Sequence, residues 1–360
     1  MAWRFACEFP REYKTEIGEK NMERKLNLGI IGAGRIGKLH AENIIRHFPE
    51  AKVGMLADVC IEHVRGWAEK IGISSLTTNY REVLNNKEID AVLICSSTNT
   101  HADFIIESAK AGKHIFCEKP IDLSIEKIKA ALKVVEFSGV KLQVGFNRRF
   151  DHNHKSVRDA VKGGKIGDPH LILITSRDPA PPPLEYVRVS GGIFLDMTIH
   201  DFDMARYLSG SEVEEVFALG GVMIDPGIGE AGDIDTAVLT LKFTNGAIGV
   251  INNSRKATYG YDQRVEVFGS KGSVINANEL SSTAIISTAE GVVSEKPKYF
   301  FLERYSESFI AEMRGFIDAV LNDKTTPVTG EDGLKPVLIA LAARKSLLEN
   351  RPVKISEIDQ

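Results

Sequence analysis

The chain has 360 residues, 43% apolar and 26% charged, with a formal net charge of −4. That length exceeds a single core of usual size, so two domains are expected. The charge contains no basic block, which argues against a nucleic-acid partner, and no apolar run reaches the roughly 18 residues of a membrane-spanning helix.

Taken in chain order, residues 1–21 lack clear periodicity and end in the charged stretch Glu16-Ile17-Gly18-Glu19-Lys20. With no apolar h-region they do not form a signal peptide. They are read as a leader, either a disordered arm or a non-native start, with Met22 as the expected native beginning. From residue 26 a rhythm sets in. Apolar runs at 26–31, 52–57, 91–95, 113–117 and 141–144 read as buried strands. Helical patterns fall between them at 35–47, 61–71, after Asn79, at 101–111 and at 124–137, with Asn79 as a cap and Gly112 in a helix-ending position. Such alternation predicts a doubly wound parallel sheet of the Rossmann type over 22–146.

After Gly145 the rhythm changes. A helix over 153–161 and a strand over 170–176 precede the proline tract Pro179-Ala180-Pro181-Pro182-Pro183. A helix is predicted from Asp196 to Leu208. Strands follow at 215–220, 236–243, 247–252, 263–268 and 284–288, and Thr244-Asn245-Gly246 carries the signal of a tight hairpin. Helices at 303–321 and 332–350 close the chain. Residues 147–360 are therefore expected to form an α+β domain with a mostly antiparallel open sheet, covered on one face by helices. The four cysteines, Cys7, Cys60, Cys95 and Cys117, lack metal-ligand spacing, and those at 95 and 117 read as buried free thiols. A reducing, cytoplasmic setting fits.

Two stretches carry chemistry. Gly32-Ala33-Gly34-Arg35-Ile36-Gly37 follows a strand and opens a helix, the context in which this pattern binds a dinucleotide pyrophosphate. Asp58 ends the next strand, where a carboxylate accepts from ribose hydroxyls and repels a 2′-phosphate, so NAD is favoured over NADP. Ser96, Thr98, Asn99 and His101 lie at a strand's carboxyl end and would line the nicotinamide half; helix capping explains part of that loop equally well. Glu118-Lys119-Pro120 ends another strand, so Glu118 and Lys119 are expected to face the cofactor crevice.

The second stretch runs from Gly191 to Asp203. On one helix, Asp196 and His200 would share a face. A histidine near its ordinary pKa accepts an alcohol proton at neutral pH, and a carboxylate one turn away can orient it or bind a hydroxyl. Asp151-His152-Asn153-His154 is better explained as a polar helix start than as a metal set, and no metal is expected. Arg148-Arg149, and Arg177 with Asp178, are candidates for polyol hydroxyls or for the domain interface.

Together these residues resemble the glucose–fructose oxidoreductase/inositol dehydrogenase (Gfo/Idh/MocA) oxidoreductases, over nearly the whole chain from Lys25. The resemblance rests on the glycine fingerprint with Ala41-Glu42-Asn43, on Glu118-Lys119-Pro120, on Gly145-Phe146-Asn147-Arg148-Arg149-Phe150-Asp151, and on Asp196-x-x-x-His200. Within the family, Ser176-Arg177-Asp178-Pro179 and the stretch around Asp196 are most like inositol 2-dehydrogenases. The resemblance implies NAD-dependent oxidation of myo-inositol to 2-keto-myo-inositol, with His200 as base. It also implies Lys119 on the reacting oxygen, Asp196 positioning His200 and the ring hydroxyls, and Arg149 and Arg177 as further polyol contacts. A homotetramer joined through the open sheet is implied too. The alternatives are scyllo-inositol or another sugar as substrate, or a non-catalytic NAD-binding sensor; the last would not need Lys119, Asp196 and His200.

Overall fold

Every residue of Leu26–Ile31 is buried, as befits a strand covered on both faces by helices. In the computed structural model, which describes residues 24–359, this strand (β1) is central to the first sheet. The leader expected at 1–21 lies outside the described residues. Five more strands join it, β2 (Ala51–Ala57), β3 (Leu76–Thr77), β4 (Ala91–Ile94), β5 (His114–Glu118) and β6 (Leu142–Gly145), in the order β3-β2-β1-β4-β5-β6. All pairings are parallel. The helices between them are α1 (Arg35–His47), α2 (Glu62–Lys70), α3 (Tyr80–Asn85), α4 (His101–Lys110) and α5 (Ile125–Ser138). Asn79 and Ser124 cap α3 and α5 by accepting from the Arg81 and Lys127 amides. The strand order reverses between β1 and β4, where a crevice opens at the strands' carboxyl ends.

The second half begins with α6 (His152–Lys162), β7 (Pro169–Arg177), and the short helices α7 (Leu184–Val187) and α8 (Ile193–Asp196). Next come α9 (Ile199–Ser209), β8 (Val213–Gly221), α10 (Pro226–Glu230), β9 (Thr236–Phe243), β10 (Ile248–Ser254), β11 (Asp262–Gly269) and β12 (Gly272–Asn276). The hairpin of β13 (Ile285–Thr288) and β14 (Gly291–Ser294) stands apart, and α11 (Phe301–Arg304), α12 (Ser306–Leu321), α13 (Gly330–Glu349) and β15 (Val353–Lys354) end the chain. The large sheet runs β12-β11-β7-β10-β9-β8-β15.

The large sheet is mostly antiparallel, as expected, with β7 and β10 at its centre paired in parallel. Two expectations need correction. The helix expected from Asp196 onward is two helices broken at Met197 and Thr198, where the Thr198 amide closes back on Ile193 O and its hydroxyl donates to Asn253 Oδ1 at 2.7 Å. The helix expected over 303–321 is likewise broken at Tyr305, a fully buried ring.

The two halves share their cores. Met313, Phe316 and Ile317 of α12 pack in one cluster with Leu28, Ile30 and Phe116 of the first sheet. The chain after α12 runs beside β6, where the Thr326 hydroxyl donates to Leu142 O and the Val144 amide donates to Val328 O. Truncating Phe316 to alanine should destabilise the protein by about 3–5 kcal/mol, the usual loss for a fully buried ring. The measurement is the midpoint of the first urea-unfolding transition; an unchanged midpoint would show that α12 is not part of this core.

Candidate active site

The cofactor end is built from close approaches that only glycine allows. A β-carbon on Gly32 would lie 2.6 Å from Cys95 O, and one on Gly37 would lie 2.0 Å from Gly32 O. A β-carbon on Gly34, by contrast, meets nothing within 4 Å. At Gly34, α1 starts with no side chain capping it, so no side chain claims its first amides. Unclaimed amides at a helix start are an anion site. Asp58 pins this loop, its Oδ2 accepting from the Ala33 amide at 2.7 Å and its Oδ1 from the Cys60 amide at 2.7 Å. Each oxygen keeps a further lone pair for a ribose hydroxyl. These residues fit a dinucleotide.

Other residues assigned to the cofactor fall into two groups. Arg35 and Asn99 are exposed at the crevice, with Ser96 and Thr98 partly so. Ile36, His101 and Glu118 are used elsewhere. Ile36 packs against the aromatic cluster of Tyr261, Tyr305 and Phe309. The buried His101 ring ties two backbones together, Nδ1 lying 2.8 Å from Pro120 O and Nε2 3.0 Å from Ser96 O. Glu118 turns inward beneath α1, with Oε1 2.8 Å from His40 Nε2. There it meets the buried Glu312, whose carboxyl is held well above the usual range by burial and then by the Glu118 charge.

Lys119 goes the other way. Its Nζ donates to the backbone carbonyl of Asp196 at 2.9 Å and lies 3.9 Å from Asp196 Oδ1. The Lys119-Pro120 bond is cis. Asp196 Oδ2 accepts from Arg255 Nη1 at 3.1 Å, and Oδ1 accepts from the Tyr186 hydroxyl at 2.8 Å. Arg255 is itself buried and lies 3.7 Å from Asp233. No hydrogen bond joins Asp196 to His200 among the described residues, because the break at Met197 and Thr198 takes the two off a common helix face. The His200 ring packs edge-on to Phe146, with Nδ1 buried and unpartnered. Burial, then the Lys119 and Arg148 charges, drives its pKa well below the ordinary value, so the ring is neutral near pH 7.

The rest of the motif is clamped by arginines. Asp201 accepts from Arg148 Nη1 at 2.7 Å and from Asn253 Nδ2 at 2.8 Å. Arg149 is bidentate on Asp203 and reaches Asp332 at 2.9 Å. Arg149 is thus committed to an ion cluster with Asp203, Arg206 and Asp332. Arg177 is engaged elsewhere. It lies on the face of β7 shared by the exposed Leu171 and Leu173, where its guanidinium holds Asn252 and Tyr259. Burial pushes the carboxyl pKa of its neighbour Asp178 up to about 6, against the pull of Arg255. Asp151 caps α6 by accepting from the His154 amide, and its carboxylate takes Arg304 at 2.6 Å, in keeping with a polar helix start.

Arg255 and Tyr186 were not singled out by the sequence reading. Arg255 had one available signal, as an arginine just past the end of an apolar strand; Tyr186, in a proline-rich connection, had none.

The comparisons with known proteins now bear on this geometry. Residues 26–146 match the model for an oxidoreductase family with an NAD-binding Rossmann fold, and residues 154–275 match the GFO/IDH/MocA C-terminal domain. The chain belongs to the Gfo/Idh/MocA oxidoreductases. It is 51% identical over 339 residues to an uncharacterized oxidoreductase of Bacillus subtilis, covering 94% of this chain and 99% of that one. It is 50% identical over 333 residues to the myo-inositol 2-dehydrogenase of Thermotoga maritima, covering 92% and 99%. Its structure matches scyllo-inositol dehydrogenase from Lactobacillus casei with bound NAD(H) and scyllo-inositol, with a TM-score of 0.87 and 32% identity over 92% of this chain and 99% of that one. As in other Gfo/Idh/MocA oxidoreductases, the first half is an NAD-binding Rossmann domain and NAD is the cofactor. No helix among the described residues is long and apolar enough to cross a membrane.

Proposed function

We propose that this chain oxidises the axial 2-hydroxyl of myo-inositol to 2-keto-myo-inositol. The observation that supports this most is the contact between Lys119 and Asp196, which sets a strand-end cation from the NAD-binding half against the Asp196 and His200 stretch of the other half. NAD, when bound, supplies the hydride acceptor. The chain's own groups handle the oxygen and its proton. His200, kept neutral by burial, accepts the hydroxyl proton. Lys119 holds the oxygen as negative charge develops on it. Asp196, with one oxygen on Arg255, aligns Lys119 and receives substrate hydroxyls; this replaces a role in orienting His200.

Identity to the T. maritima myo-inositol enzyme exceeds that to the L. casei scyllo-inositol enzyme, which favours the myo isomer. The second reading, scyllo-inositol as substrate, draws on the ligand named for that L. casei structure. A homotetramer is proposed through the open face of the large sheet, where Leu171, Val238, Ile248 and Phe268 are exposed together. The free thiols of Cys95 and Cys117 are consistent with a reducing cytoplasm.

The test is NADH production with myo-inositol, scyllo-inositol, chiro-inositols, glucose and galactose. Turnover is expected on myo-inositol, and none on any inositol would overturn the reading. His200→Ala should lower kcat/KM by roughly 10²–10⁴-fold, the range for a lost general base; near-normal turnover would remove His200 from the chemistry. The pH profile follows from the direction of the His200 shift. Protonation abolishes the acceptor, so kcat/KM falls as pH drops through the His200 pKa. With that pKa below its ordinary 6.5, the acidic limb should have its midpoint below pH 6.5. A midpoint above that value would contradict the buried, neutral ring.

A further inference from the structure

The connection between β7 and α8 carries a side chain that the chemistry above leaves unused. It starts with four prolines, Pro179, Pro181, Pro182 and Pro183, and passes through α7. It ends on Gly191 and Gly192, with φ of +86° and +83°. One end is stiff, and the other turns through angles that side chains rarely permit. Leu184 rests on α10, close against Gly227.

Two residues on, Tyr186 does something different. The residue is 47% exposed, yet its hydroxyl reaches inward to Asp196 Oδ1. The other oxygen of Asp196 is on Arg255, and its carbonyl is on Lys119. The hydroxyl therefore joins the Asp196 cluster while much of the residue stays exposed. The charge of Arg35, on the glycine loop, also reaches it. Burial and the Asp196 carboxylate hold the phenol protonated far above the physiological range, so it donates and does not act as a base. An exposed tyrosine with an anchored hydroxyl offers an apolar wall and a fixed polar tip. A cyclitol presents the complement, with C–H groups between its hydroxyls.

We propose that Tyr186 is a substrate-positioning residue: its hydroxyl, held on Asp196, and its ring together close the polyol site on the side facing the glycine loop. This rests on the polyol reading above. Tyr186→Phe keeps the ring and removes only the hydroxyl. It should raise KM for myo-inositol about tenfold, the scale of one hydrogen bond to a charged group. Because the hydroxyl steadies Asp196 for the substrate's hydroxyls in the ground state and the transition state alike, kcat should stay within about threefold. The Kd for NAD⁺, read by quenching of protein fluorescence, should not change. Tyr186→Ala also removes the wall and should raise KM by about a further tenfold, with an unaltered thermal unfolding midpoint. A wild-type KM in Tyr186→Phe overturns the proposal. So does a parallel loss of NAD⁺ affinity, which would make Tyr186 a support for the glycine loop. If the wild-type enzyme turns over no inositol, both readings fall; if it does and the variants match it, only this one falls.

Discussion

The hydrogen bond from Lys119 to the Asp196 carbonyl is the point on which the site depends, because it joins the carboxyl end of a parallel strand to a short helix of the other half. Neither partner is free to wander. Lys119 follows β5, a strand buried between β4 and β6, and the next peptide is anchored where His101 meets Pro120 O. Asp196 is restrained by Arg255 and by the start of α8, whose Ile193 amide donates to Asp233 Oδ1 at 3.0 Å. The lysine is hydrogen-bonded to a backbone carbonyl, with the carboxylate oxygen farther off at 3.9 Å. Its charge helps to keep His200 unprotonated.

Around that contact, the second half spends buried charge on geometry. Asp196, Asp201 and Asp203 each have their own arginine, in Arg255, Arg148 and Arg149. Desolvation raises the carboxyl pKa of Asp201 and of Asp203 even with those partners in place, so these pairs are weak arguments for net stability. Breaking one would strand a buried charge at a loss of about 3–5 kcal/mol. Their effect is to fix the first turn of α9, and with it His200, in a single register against β7 and β10.

Most of the first half was legible because its rules are local. Gly32 and Gly37 are required by backbone atoms a few ångströms away, and Asp58 follows one strand later. The second half was legible in its strands and much less so in its site. Arg177 lies one step of strand alternation from the buried Ser176, on the open side of the sheet, where its guanidinium holds Asn252 and Tyr259. Arg149 was read as a candidate for polyol hydroxyls or for the domain interface, because Asp203 and Asp332, at distances of 54 and 183 residues in sequence, could not be seen to pair with it. Arg255 and Tyr186 gain meaning only from Asp196, which no local pattern links to either. At the break between α8 and α9, Thr198 likewise pairs with Asn253, 55 residues on.

The packing of α12 has an implication for synthesis. The surface of the first sheet that Met313, Phe316 and Ile317 cover is supplied with its cover only after some 170 further residues have been made (146 to 316). Until then a nascent nucleotide-binding half emerges from the ribosome with an apolar flank still open, the kind of intermediate that invites chaperones. The core of the nucleotide-binding half is thus completed by a helix that belongs, in sequence, to the other half.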